Sequence, residues 1–181
     1  TELFLENVRR IRVGDPLSEE TDMGPVISED SLRNLESMIR DAVEKGGKLL
    51  HGGERMRLKG FYLYPTVIYE PPSESRVLRE EVFGPVAPIV SFSKEEEAIE
   101  LANMTDYGLQ AAIFTKDIVR ALRMAREIEA GGVMINDSTR LRWDALPFGG
   151  VKLSGLGGRE GVRTTILNLT ETKIISINIA T

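Results

Sequence analysis

The sequence predicts an α/β fold, an open and mostly parallel sheet with flanking helices, followed by a C-terminal strand. Three observations carry this expectation. Between residues 86 and 136 the pattern runs strand, helix, strand, helix, strand, the alternation that builds a parallel sheet with right-handed crossovers. Glycine pairs, Gly46-Gly47 and Gly131-Gly132, stop the two strongest amphipathic stretches. At the end of the chain, Ile175, Ile177 and Ile179 alternate on one face, the two-residue period of a strand. Residues 1–165 are therefore expected to form α/β structure, and 166–181 a strand-bearing tail.

Each element has its own signal. Leu3, Phe4, Leu5, Val8 and Ile11 recur at helical spacing, and Val13-Gly14-Asp15-Pro16 breaks that helix. Gly24-Pro25 keeps the next stretch irregular. Ser28 then starts a helix, with Glu29 and Asp30 suited to its positive end. Leu32, Leu35, Met38, Ile39, Ala42 and Val43 fall on one face of it. Lys48–His51 and Tyr64–Tyr69 read as short strands, the second interrupted early by Pro65. The run from Val86 to Phe92 is β-branched-rich and bounded by the Gly84-Pro85 turn, although Pro88 cannot donate a ladder hydrogen bond. Ser93-Lys94-Glu95-Glu96 has the capping-box form and predicts a helix to about Asn103. After the Tyr107-Gly108 turn comes a small-residue strand, Leu109–Thr115. Asp117 then caps a helix with Ile118, Ala121, Leu122, Ala125 and Ile128 on one face. Val133–Asn136 is the last strand of the alternation, and residues 139–161 hold too many glycines for regular elements.

Composition narrows the class. A chain of 181 residues with 41% hydrophobic and 28% charged residues is that of a soluble globular protein. Net charge −5 without a basic block argues against nucleic acid and anionic membranes as partners. No apolar run approaches the roughly 18–20 residues of a membrane helix, and Thr1-Glu2-Leu3-Phe4 lacks the features of a signal peptide. A start at Thr1 points to sequence upstream. The absence of Cys excludes a disulfide framework and thiolate metal sites, in keeping with a cytoplasmic location. His51 is the single histidine and has no second nitrogen or sulfur ligand to share a metal with, so no metal site is assigned.

The chemistry-bearing stretch is Glu80-Glu81-Val82-Phe83-Gly84-Pro85, directly before the strand at Val86. A carboxylate on such a loop can accept hydrogen bonds from vicinal ribose hydroxyls, and a Phe beside it can pack on a flat ring. The bland alternative is a solvated acidic loop. Arg140 and Arg142 are either solvated or hold a substrate carboxylate or phosphate by bidentate contacts. The glycine-rich segment from Ser154 to Gly161 lacks the preceding strand and the Lys-Ser/Thr of a phosphate-binding loop.

Glu80–Val86 resembles a signature of the NAD(P)-dependent aldehyde dehydrogenase superfamily. Further blocks are similar to the same family in the same order: Arg12–Pro16, Asp22–Pro25, Gly60–Tyr62 with Tyr64-Pro65-Thr66, Tyr107–Thr115, and Pro147–Gly150 with Lys152, Ser154, Gly155, Arg159 and Glu160. They span nearly the whole chain and match the C-terminal third or so of a family subunit. The run Ile135–Thr139 is similar to lactaldehyde and non-phosphorylating glyceraldehyde-3-phosphate dehydrogenases. One departure stands out: two glycines, Gly157 and Gly158, precede Arg159 where the family has one.

The resemblance implies oxidation of an aldehyde to a carboxylic acid with NAD or NADP. A Cys thiolate adds to the carbonyl, hydride passes to the cofactor, and activated water releases the acid. It implies that the Cys, the general-base Glu and the Rossmann-type domain lie upstream of residue 1, so that this chain alone is inactive and carries no catalytic residue. Glu81 would clamp the cofactor ribose, Phe83 would lie beside the nicotinamide end, and Phe148 would line the aldehyde tunnel. Glu80 would be structural or solvated. Residues 1–165 would then be the C-terminal part of the catalytic domain. The tail would join subunits of a homo-oligomer by β-augmentation, the alternative being a strand folded back on its own domain. A stand-alone assembly protein that keeps the fold without the chemistry is the alternative function.

Overall fold

The computed structural model describes residues 1–179, which divide into two compact units, one over Thr1–Ser93 and one from Lys94 onward. In the first, α1 (Glu2–Arg9) leads into an irregular stretch pinned by an Arg12–Asp22 ion pair at 3.0 Å and a bridge between Val13 and Met23. The Arg12 guanidinium and backbone N–H hold the Asp22 carboxyl at a pKa of about 2. Helix α2 (Glu29–Glu44) starts as the sequence predicts, with the Ser28 hydroxyl accepting the Ser31 N–H at 3.1 Å. Its inner face buries Leu32, Leu35, Met38, Ile39 and Ala42 against Leu63, Ile68 and Val77. Each large side chain among them contributes roughly 1.5–3 kcal/mol on leaving water.

Beneath α2, β1 (Lys48–His51) pairs antiparallel with β2 (Thr66–Tyr69), and β2 pairs parallel with β3 (Val86–Ile89). The one-turn α3 (Arg76–Arg79) lies between β2 and β3 in the chain. Strand β3 ends at Ile89, earlier than the apolar run suggests. Pro88 is tolerated for a reason visible in the ladder. Thr66 N–H donates to Pro85 O and Glu70 N–H to Ile89 O, so the odd-numbered residues of β3 turn their polar groups toward β2. Pro88 therefore faces the open edge, where its missing N–H breaks no bond.

The second unit contains α4 (Glu95–Asn103), β4 (Tyr107–Gly108), β5 (Gln110–Ile113), α5 (Ile118–Glu127), β6 (Gly132–Ile135), β7 (Val151–Lys152) and α6 (Val162–Asn168). Strands β5 and β6 form a parallel pair with α5 as the crossover, in register from Gln110↔Gly132 to Ile113↔Ile135. Asp117 caps α5 through the N–H groups of Val119 and Arg120. Ile99, Ile113 and Met124 form the core, with Ala98, Ala125, Ile128 and Val133 packed on it.

Several expectations are corrected. The cap position of α4 is Lys94, and Ser93 stands one residue outside it. On α5, Ala121 and Met124 are buried whereas Ile118 and Leu122 are 61% and 48% exposed. Helix α6 has no sequence signal that announces it. The described strands form three groups, β1-β2-β3, β5-β6 and the antiparallel pair β4-β7, not one continuous ladder. The break falls at Leu109, where the chain leaves its pairing with β7 and enters β5. The tail, expected as a strand, forms none within the described residues. Between Leu169 and Ile179 no helix or strand forms, and Ile174, Ile175, Ile177 and Ile179 are at least three-quarters exposed.

Candidate functional site

The Glu80–Pro85 loop is built by dividing labour among its side chains. Arg76 holds Glu80 with two hydrogen bonds, Nε to Oε1 at 2.6 Å and Nη2 to Oε2 at 2.8 Å, and also reaches Ser37 and Asn34 on α2. The guanidinium keeps the Glu80 carboxyl below the usual range. Glu80 is therefore committed to Arg76, and it is Arg76 that ties α3 to α2. Val82 packs onto the α2 core cluster, which fixes the loop from below. Its two neighbours consequently turn outward: Glu81 is exposed and Phe83 is 77% exposed. Tight hydrogen bonds, Gly84 N–H to Val82 O and Val86 N–H to Gly84 O, close the turn into β3. A carboxylate and a phenyl ring thus stand exposed on a loop held through Val82, close enough in sequence to meet one ligand.

Phe148 belongs to the second unit and is half-buried. Its backbone exchanges hydrogen bonds with Glu160, 2.8 and 2.6 Å long. The Arg142 guanidinium lies 4.2 Å from the centre of the Phe148 ring and pairs with Glu160 at 2.6 Å. That arrangement combines a cation–π contact with an ion pair on one face of the ring. Arg142, one of the two arginines that the sequence reading left open between solvent and ligand, stands on Phe148. The signal that could have found it is the i, i+6 spacing of a cation and an aromatic across a Pro-containing turn, which is weak. Arg140 is exposed.

Other polar residues near the strand ends are committed elsewhere. Asn136, at φ +56°, uses its carboxamide to bond both the N–H and the C=O of Thr115 at 2.9 Å, joining the ends of β5 and β6. Lys152 donates to the carbonyls of Asn103 and Thr105 and pairs with Glu129 at 2.7 Å. Arg159 donates to Gly150 O at 2.5 Å and Ser154 Oγ accepts the Gly108 N–H. The glycine-rich segment therefore shapes and packs the chain. His51 is half-buried in β1, and among the described residues no group of three metal-ligating side chains occurs.

These motifs occur together in known proteins. The model of the aldehyde dehydrogenase family matches residues 1–175. The chain belongs to the aldehyde dehydrogenase family. Lactaldehyde dehydrogenase of Methanocaldococcus jannaschii is 44% identical over 177 residues, 98% of this chain and 37% of the relative. Aspartate-semialdehyde dehydrogenase 1 of Pseudomonas canavaninivorans is 43% identical over 98% of this chain and 37% of its own length. Among solved structures, aldehyde dehydrogenase 21 of Physcomitrella patens, in complex with the product succinate, superposes with a TM-score of 0.92 at 43% identity. It covers 99% of this chain and 37% of that one. Glyceraldehyde-3-phosphate dehydrogenase of M. jannaschii, complexed with NADP, gives 0.86 at 44% identity, covering 93% and 36%. The chain thus spans a little over a third of the length of these aldehyde dehydrogenases. The family is one of NAD(P)-dependent oxidoreductases, and its α/β fold accommodates the small sheets and flanking helices described above.

Proposed function

We propose that Glu81, Phe83 and Phe148 serve an NAD(P)-dependent oxidation of an aldehyde to a carboxylic acid. Glu81 accepts hydrogen bonds from the cofactor ribose, Phe83 packs beside the nicotinamide end, and Phe148 lines the aldehyde tunnel. The observation that carries this reading is the anchoring of Val82, which leaves Glu81 and Phe83 outward on a loop held to the α2 cluster. Bound NAD(P)+ supplies the hydride acceptor; the residues here orient, and orientation alone can contribute several kcal/mol to a rate. With no Cys in the chain, the thiolate that attacks the carbonyl comes from polypeptide outside these 181 residues. The names of the relatives, lactaldehyde and aspartate-semialdehyde dehydrogenases, together with the succinate complex, favour a small polar aldehyde.

The test is a graft. These residues replace the matching 37% of the M. jannaschii lactaldehyde dehydrogenase, and aldehyde-dependent reduction of NAD(P)+ is followed. Turnover by the graft, with none from the 181-residue chain alone, is the expected result. A folded but inactive graft, or turnover by the isolated chain, would contradict the reading.

We assign the tail, residues 166–181, to joining subunits of a homo-oligomer. Its row of exposed isoleucines has no partner strand within the described residues, and edge pairing with a second copy would cover it. Removing residues 173–181 is expected to shift sedimentation toward the monomer. An unchanged profile counts against this role.

A further inference from the structure

Lys152, four residues after Phe148 in the chain, holds its φ at +52°. That left-handed conformation costs a residue with a side chain free energy that glycine would not lose. Glycine is plentiful nearby, at Gly149, Gly150, Gly155, Gly157 and Gly158, yet a lysine stands here. Its side chain is fully employed. The ammonium has three donors. Two go to the carbonyls of Asn103 and Thr105, at and just beyond the end of α4, where helix carbonyls lack partners; the distances are 2.8 and 3.0 Å. The third meets Glu129, just past α5, at 2.7 Å. Asn103 in turn joins the ends of the two helices, its carboxamide donating to Glu127 O and accepting the Glu129 N–H, each at 2.8 Å. One side chain thus staples β7 to the junction of α4 and α5.

Strand β7 needs that staple. Its ladder with β4 is two residues long, Tyr107↔Lys152 and Gly108↔Val151, too short to hold a strand by itself. Between this ladder and Phe148 lie only Gly149 and Gly150, which have no side chains to fix the path. Gly149 O is lodged against Gly131, and Gly150 O accepts from Arg159. A shift of β7 is therefore handed to the Phe148 backbone and to the hydrogen bonds it exchanges with Glu160. We propose that Lys152 is a positioning residue: by locking β7 to the ends of α4 and α5, its ammonium sets the place of the Phe148 backbone. Its bearing on catalysis rests on the aldehyde-tunnel role of Phe148 proposed above; the mechanical coupling does not.

Amide hydrogen exchange of the 181-residue chain tests the coupling. Lys152→Met keeps the aliphatic stem and removes the ammonium. The amides of Phe148 and Glu160, each bonded to the other's carbonyl, should then exchange at least about tenfold faster, while those inside the β5–β6 ladder keep their protection. Lys152→Arg, which keeps the charge and the donors, should restore most of the protection. Glu129→Gln loosens the same ammonium more gently and takes the place of Lys152→Met if that variant does not fold. Faster exchange everywhere, or no change at Phe148 and Glu160, overturns the proposal. In the grafted enzyme, Lys152→Met should lower kcat/KM for the aldehyde about tenfold and leave the cofactor KM unchanged. The same change should add nothing once Phe148 is already replaced by Ala, because it acts through that residue. Additive losses overturn the role of Lys152 and leave that of Phe148 standing. If Phe148→Ala alone leaves the aldehyde kinetics unchanged, the tunnel role of Phe148 fails, and the exchange result still decides the coupling.

Discussion

Replacing Glu81 by Gln in the grafted enzyme is expected to raise KM for the nicotinamide cofactor at least about tenfold, with a smaller change in the KM for aldehyde. A carboxylate that accepts hydrogen bonds from sugar hydroxyls makes charge-assisted bonds worth roughly 1.5–3 kcal/mol each, and an amide keeps the shape but only part of the strength. Nothing else in the loop needs to change. Val82 anchors it to the α2 cluster and Arg76 holds Glu80, so Glu81 can be altered without releasing the turn. Glu80→Gln is the informative contrast. It sits one residue away, yet its partner is Arg76, so its loss should reduce thermal stability and leave cofactor affinity nearly intact. Phe83→Ala should add a loss in kcat, because its ring is expected against the reacting end of the cofactor. Steady-state kinetics with the cofactor varied separates these outcomes. An unaltered cofactor KM in Glu81→Gln would remove this residue from the site.

The largest structural effect is expected at Gly131. A Cβ there would lie 1.7 Å from Gly149 O and 2.7 Å from Gly149 C, both backbone atoms that cannot rotate away. The same residue donates its N–H to Gly108 O at 3.0 Å, so it cannot retreat without losing the link to β4. Gly131→Ala should therefore cost at least about 3 kcal/mol, at the upper end of overpacking penalties, and lower the urea midpoint accordingly. Gly158→Ala is the control. Its Cβ would meet only the Asn168 amide at 3.5 Å, an ordinary contact, and the expected change is within about 0.5 kcal/mol. Gly158 is also one of the two glycines where the family pattern has one, so the extra residue occupies open ground. Equal midpoints for the two variants would show that the backbone approach at Gly131 relaxes more readily than its geometry suggests.

What the sequence revealed tracks how local the cause is. Ser28 and Asp117 announce their helices because a cap is a contact between residues two or three apart. The face of α2 was readable for the same reason, as period and burial agree along one element. Ser93 misled by one residue, because the capping-box pattern does not decide which of two adjacent residues adopts the cap geometry. Ile118 and Leu122 have helical spacing but lie exposed, since spacing identifies a face and not what covers it. The pairing of Tyr107-Gly108 with Val151-Lys152 joins residues more than forty apart and leaves no periodic trace. The same holds for Arg142 on Phe148. For the site, the sequence pointed to Glu81, Phe83 and Phe148 through family motifs, and the fold explains how the first two are held outward.

The position of Pro88 has a bearing on how this protein behaves at high concentration. Its ring occupies the outward rung of β3, so a neighbouring molecule that approached along that margin would find no donor midway. Ordered, fibril-like stacking is discouraged there by a single imino acid, in the manner of a gatekeeper. The opposite margin, Lys48–His51, has no such block and relies on Lys48 to repel its own kind.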